Sequence, residues 1–202
     1  MKAADLPTYY NICEILEHNL EHRGDKIALL SENGSFTFRE VSEQVNRVGN
    51  ALIRSGVQFG ECVAILCPDR PEWVSVFFAT AKIGGVALGL NTLLKTDEYD
   101  YILKDARVKV LVVHDSLKAL VEPIIKKHDT LIKVITVTDN KSIKCTTFTN
   151  WINGEKSELD SATTHREDFC SLHYSSGTTG VPKGVLHMHK DYPFTAQSSG
   201  VD

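Results

Sequence analysis

Between residues 26 and 138 the apolar positions switch repeatedly from a spacing of two to a spacing of three or four, and each switch marks a change from strand to helix. Residues 26–31, the turn Glu32-Asn33-Gly34 and residues 35–38 predict a hairpin, because Asn-Gly supplies the left-handed backbone that such a turn requires. Thr37-Phe38-Arg39-Glu40 has the spacing of a capping box, in which a hydroxyl and a carboxylate satisfy free amides at a helix start. Behind it Val41, Val45, Val48 and Leu52 form one buried face, and Gly56 ends the helix. Residues 61–67 read as a short apolar strand. Pro68-Asp69-Arg70-Pro71 then opens a helix on which Trp73, Val74, Val76, Phe77, Phe78 and Ile83 leave almost no polar face, so it is predicted to lie between layers.

The alternation continues with strands at 86–90, 109–114 and 133–138. Between them come a helix at 97–106, with Tyr99, Ile102, Leu103 and Ala106 inward, and a helical stripe of Leu117, Leu120, Val121, Ile124 and Ile125. Upstream, Ile12, Ile15, Leu16 and Leu20 predict one helix running from Asn11 to Arg23. Strands that alternate with helices of this length imply an α/β fold with a helix-covered, largely parallel sheet. Residues 1–8 read as a leader and 9–140 as the α/β subdomain. Residues 141–168, polar and with a short helix near Trp151, read as a connection, and 169–202 as the start of a second subdomain.

Composition narrows the function. In 202 residues, 42% hydrophobic and 24% charged, there is room for one good core or two small ones. A net charge of -4 leaves no basic footprint for nucleic acid or an anionic membrane surface, so a small-molecule partner fits better. Residues 73–90, the most apolar stretch, are broken by Lys82 and Gly84-Gly85, which argues against a membrane span. Five cysteines, Cys13, Cys62, Cys67, Cys145 and Cys170, form no CxxC pair and follow no secretory leader, which points to free thiols in a reducing cytoplasm. Cys62 and Cys67, an odd number of residues apart, would face opposite sides of a strand and share no metal.

The candidate chemistry lies at Ser175-Ser176-Gly177-Thr178-Thr179-Gly180-Val181-Pro182-Lys183-Gly184, between two runs with strand character. Small residues let backbone N–H groups approach an oxyanion, glycines aim several amides inward, and hydroxyls donate further hydrogen bonds. Lys183 adds a mobile positive charge, and Pro182 limits the directions in which it leaves the loop. The same residue types also suit an ordinary solvated turn. The run is not a Walker A loop, since Gly184 stands after the lysine where Ser or Thr would hold Mg²⁺. His187 and His189, at i and i+2, share a strand face. No carboxylate or cysteine has the spacing to complete a metal site with them, so they read as structural.

The eleven residues Tyr174 to Gly184 closely resemble the signature loop of the adenylate-forming superfamily: acyl-CoA and aryl-CoA synthetases, adenylation domains and luciferases. Phe36-Thr37-Phe38-Arg39-Glu40-Val41 and the run from Ala81 to Asn91 resemble two further motifs of that superfamily, both structural. The resemblance implies a ligase in which a carboxylic acid and ATP give an acyl-adenylate and pyrophosphate, after which coenzyme A takes the acyl group. It implies that Ser175, Ser176, Gly177, Thr178, Thr179 and Gly180 grip the β- and γ-phosphates, that Lys183 is the catalytic cation, and that Mg²⁺ accompanies ATP. Residues 184–194 resemble the branch that ligates benzoate and aminobenzoate. The superfamily's adenine, ribose, Mg²⁺ and acyl motifs lie downstream of any stretch present here. Three net charge-assisted hydrogen bonds from the loop, at roughly 1.5 kcal/mol each, would give an affinity of only about a millimolar. The expectation is therefore an N-terminal portion, inactive alone, whose sheet edge is exposed or covered by missing chain or by self-association. A non-catalytic nucleotide-binding or interaction fragment, and an adenylation domain that loads a carrier protein, are the alternatives.

Overall fold

Residues 62–66 are apolar at every position and buried on both sides, which is the condition for a central strand of a parallel sheet. The computed structural model describes residues 5–32, 34–140, 146–175 and 182–199. Two short helices, α1 (Glu14–Glu17) and α2 (Leu20–Arg23), precede a hairpin of β1 (Ile27–Ser31) and β2 (Gly34–Thr37). Then come α3 (Phe38–Arg54), β3 (Cys62–Leu66), α4 (Pro71–Lys82), β4 (Val86–Gly89), α5 (Thr96–Asp105) and β5 (Val110–His114). The chain continues through α6 (Lys118–Val121), β6 (Lys133–Val137), α7 (Phe148–Ile152), β7 (Phe169–Ser175), β8 (Lys183–Met188) and α8 (Asp191–Ser199).

One six-stranded sheet runs in the order β6-β5-β3-β4-β7-β8. All its pairings are parallel except that of β7 with the outer strand β8. Residues 169–188 thus continue the sheet of residues 62–137. The two faces of β3 separate two cores. Val63 and Ile65 join α3, α4 and Cys67 in one, while Cys62, Ala64 and Leu66 join α5 in the other. The opposite facing of Cys62 and Cys67 follows from this alternation. On β8, Val185 and Leu186 remain about half exposed.

Local signals hold well where the residues they need are adjacent. Glu40 N–H donates to Thr37 Oγ1 at 3.2 Å and Thr37 N–H to Glu40 Oε2 at 2.8 Å, completing the capping box. At the other end of α3, Gly56 takes φ 92°, and Gly56 and Val57 donate to Ile53 O and Leu52 O. The Asn33 of the expected Asn-Gly turn lies outside the described residues, but Ser31 and Gly34 face each other as a hairpin requires. α4 is sandwiched between α3 and the sheet. Its end is set by Gly85, whose amide donates to Thr80 O at 2.8 Å while the next amide, Val86 N–H, donates to Glu61 O at 2.9 Å. A Cβ on Gly85 would lie 3.0 Å from Thr80 Cγ2 and 3.1 Å from the carbonyl oxygens of Glu61 and Thr80.

Two expected helices are broken. Residues 11–23 form α1 and α2, because the Asn19 side-chain amide donates to Ile15 O at 2.8 Å and competes with the backbone at that turn. The stripe from Leu117 to Ile125 is helical only as α6 and two flanking single turns. Pro123 has no N–H to continue it, although Val121 and Ile124 still reach the core.

Long-range bonds tie the N-terminal stretch to the rest. Leu6 is buried and its carbonyl accepts from Arg166 Nη1. Thr164 Oγ1 donates to Tyr10 O at 2.8 Å. Ile12 N–H donates to Nδ1 of His189, a fully buried ring whose Nε2 has no partner among the described residues. Lys82, also buried, donates from Nζ to Asn46 Oδ1 at 2.6 Å and to Glu17 Oε1 at 2.5 Å, joining α4, α3 and α1.

Two outcomes follow from this packing. Gly85→Ala is expected to cost about 1–3 kcal/mol in denaturant unfolding, since the nearest atoms include backbone oxygens that cannot step aside. Burial pushes the His189 pKa down to about 4 from an ordinary 6.5, so the unfolded chain takes up its proton first as pH falls. Stability is then complete above about pH 6.5 and declines toward pH 4, by on the order of 3 kcal/mol. His189→Gln keeps an acceptor for Ile12 without the proton uptake. Unfolding midpoints at pH 7.5 and 4.5 should diverge for the unsubstituted protein and converge for the variant.

Candidate functional site

The glycine- and hydroxyl-rich run joins the two antiparallel strands at one end of the sheet. Ser175 and Lys183 face each other as the last pair of the β7–β8 ladder, preceded by Tyr174 with Gly184 and His173 with Val185. Ser176, Gly177, Thr178, Thr179 and Gly180, all expected to contact phosphate, lie outside the described residues. Of the expected site residues, the structure therefore places Ser175 and Lys183, both exposed and directly opposite each other.

Parallel pairing decides where this mouth opens. Ala87 and Leu88 of β4 pair with Ser171 and Leu172 of β7, so the carboxyl ends of both strands reach the same edge as that of β3. A cleft of about 550 Å³ lies there, lined by Cys67 and Asp69 after β3, Gly89 and Asn91 at the end of β4, and His173 and Tyr174 of β7. The connection leaving β3 is α4, on one face of the sheet, and the connection leaving β4 is α5, on the other. A crevice between strands that part in this way is where open α/β sheets bind ligands.

Side chains of β7 divide between the two faces as a period of two requires. Leu172 and Tyr174 face α5, and the Tyr174 hydroxyl donates to Asp105 Oδ2 at 2.5 Å. Burial and this carboxylate push the Tyr174 pKa up. On the other face Ser171 Oγ and the Tyr192 hydroxyl share a hydrogen bond of 2.7 Å, and Tyr192 packs edge-on against Phe77. The His173 and His187 rings stand 5.4 Å apart, and burial followed by His187 lowers the His173 pKa, favouring the neutral ring. Burial pushes the thiols of Cys67 and Cys170 up to about 12, so neither is a thiolate nucleophile near neutrality.

His187 and His189 do not converge: His189 Nδ1 is committed to Ile12, and His187 Nδ1 lies 3.6 Å from Asp191 Oδ2. Mg²⁺ needs several oxygen ligands. Among the described residues no group of three or more His, Cys, Asp or Glu is placed to hold a metal ion, so no step is assigned to one. Among the same residues no helix is long and apolar enough to cross a membrane. The cleft and the Tyr174–Asp105 bond were not read from the sequence. Strand periodicity places Tyr174 on the face of Leu172, but its partner is 69 residues away and carries no local signal.

Comparison with known proteins places this geometry. A benzoate–CoA ligase of Thauera aromatica is 32% identical over 200 residues, covering 96% of this chain and 37% of the relative. A 4-hydroxybenzoate–CoA/benzoate–CoA ligase of Rhodopseudomonas palustris is 31% identical, covering 96% and 36%. The solved structure of an anthranilate CoA ligase in complex with anthranoyl-AMP superposes with a TM-score of 0.93 at 50% identity, over 98% of this chain and 38% of that one. A benzoate CoA ligase from Burkholderia xenovorans shares the fold, with a TM-score of 0.83 at 24% identity over 93% of this chain and 36% of its own. The chain thus spans a little over a third of the length of the relatives it matches. The family model described as AMP-binding enzyme matches residues 16–201, the whole six-stranded sheet with the hairpin that carries the loop, and the chain belongs to that family.

Proposed function

We propose that this chain forms the phosphate-gripping part of an ATP-dependent carboxylic acid–CoA ligase. The observation that carries the reading is the hairpin mouth, with Ser175 and Lys183 opposed at the carboxyl edge of a parallel sheet beside a polar cleft. In the first half-reaction a carboxylate oxygen attacks the α-phosphorus of ATP. The bond from that phosphorus to the bridging oxygen breaks, and pyrophosphate leaves with the electron pair. In the second, the sulfur of coenzyme A loses its proton to solvent and bonds to the acyl carbon, the bond from that carbon to the phosphate oxygen breaks, and AMP departs with the electron pair. Little covalent work falls to the protein in the first step, so placement and charge neutralisation dominate.

In this reading the hydroxyls and amides of residues 175–180 hold the β- and γ-phosphates, and Lys183 stabilises the charge that develops on pyrophosphate. An aromatic acid such as benzoate or anthranilate is the proposed substrate, supported by 50% identity to an anthranilate CoA ligase and 32% to a benzoate–CoA ligase. Coenzyme A as acceptor has the same support.

In the full-length protein, Lys183→Ala is expected to lower ATP–pyrophosphate exchange with benzoate or anthranilate about a hundredfold, the typical loss of one charge-stabilising donor. Its melting temperature should not move, because the side chain is exposed. Undiminished exchange would sink the assignment. The 202 residues expressed alone are expected to give no exchange with either acid, and exchange above background would refute that division of labour.

A further inference from the structure

The hairpin stem that carries Ser175 and Lys183 outruns the sheet beneath it. The β4–β7 ladder ends at Leu88 with Leu172, whereas the β7–β8 ladder continues for three more residues of β7, through His173, Tyr174 and Ser175. Above Leu172 the stem is a two-stranded ribbon, and an isolated pair of strands is marginal and strongly twisted on its own. Something outside the ladder must fix its direction. The Tyr174 ring is placed to do so. A Cβ on Gly184, the cross-strand partner of Tyr174, would lie 3.3 Å from Tyr174 Cζ and 3.0 Å from Leu172 Cδ1, so the ring lies across the bare glycine and spans both strands. Its hydroxyl then reaches Asp105, the last residue of α5.

Asp105 is an unfavourable residue for that place by local criteria. A carboxylate at a helix C-terminus meets the negative end of the helix dipole. Two residues on, Arg107 takes φ 49°, a conformation that suits glycine, while its amide and that of Val108 close the helix on Lys104 O and Leu103 O. The helix end is thus built with two local disadvantages, and the bond to Tyr174 gives the carboxylate a role there.

We propose that Asp105 and Tyr174 are positioning residues: together with the gap at Gly184 they brace the overhanging stem and fix where Lys183 stands. This rests on the nucleotide-phosphate reading of Lys183 and adds to it two residues that touch no substrate. The brace acts as one unit, so either half removed releases the stem.

The test uses the full-length protein with Tyr174→Phe, Asp105→Ala, Asp105→Asn and the Tyr174→Phe/Asp105→Ala double variant. Amide exchange at residues 183–186 and ATP affinity by titration calorimetry are the readouts. Tyr174→Phe and Asp105→Ala should each speed exchange there and weaken ATP binding about tenfold, the value of one hydrogen bond to a charged group. The double variant should be no weaker than either single one. Asp105→Asn, which still offers the tyrosine an oxygen but no charge, should recover part of both losses seen in Asp105→Ala. Unchanged exchange in the single variants, or losses that add in the double, overturns the brace. Faster exchange with unchanged ATP affinity overturns its link to Lys183. If the unsubstituted protein binds no ATP, the phosphate reading fails, and the exchange result still decides whether the brace exists.

Discussion

Parallel pairing between β7 and β4 fixes everything near the candidate site. Strands that pair in parallel end at the same edge, so once Ala87 aligns with Ser171 the chain must deliver Ser175 to the side where β3 and β4 also finish. Burial enforces this alignment. Leu172 enters the core shared with α5, while its neighbour Ser171 bonds to Tyr192 on the α4 face, so a slip of one residue would exchange their faces. The polar cleft and the loop mouth are neighbours for that reason alone.

The sequence was most informative where cause and effect lie within a few residues. Thr37 and Glu40 cap each other across three positions, Gly56 closes the helix it follows, and the all-apolar run of β3 declares a strand buried on both faces. Strand and helix alternation was enough to give the largely parallel sheet. Reading failed where a single side chain competes with regular backbone bonding. Asn19 draws the Ile15 carbonyl away from the helix, and Pro123 withholds a donor from the stripe that contains it. Both residues stand inside stripes whose apolar spacing is otherwise helical.

Contacts between distant segments were not legible at all. His189 accepts the Ile12 amide across 177 residues, Thr164 reaches Tyr10 across 154, and Tyr174 meets Asp105 across 69. No period encodes such meetings, because they depend on how the layers close. For the candidate site, residue types alone carry the expectation for residues 176–180, which lie outside the described residues, whereas the cleft and the Tyr174–Asp105 bond required the fold.

The overhang of the hairpin beyond β4 has a mechanical consequence. Two strands whose backbone ladder joins them only to each other pivot as a single rod, since separating them would break the Tyr174–Gly184 and Ser175–Lys183 pairings while tilting them breaks no backbone pairing. Any swing at Leu172 therefore turns Ser175 and Lys183 together without parting them. The span between the serine and the lysine is set by backbone pairing and is insensitive to the surroundings, and only its compass bearing is open to adjustment by whatever packs alongside.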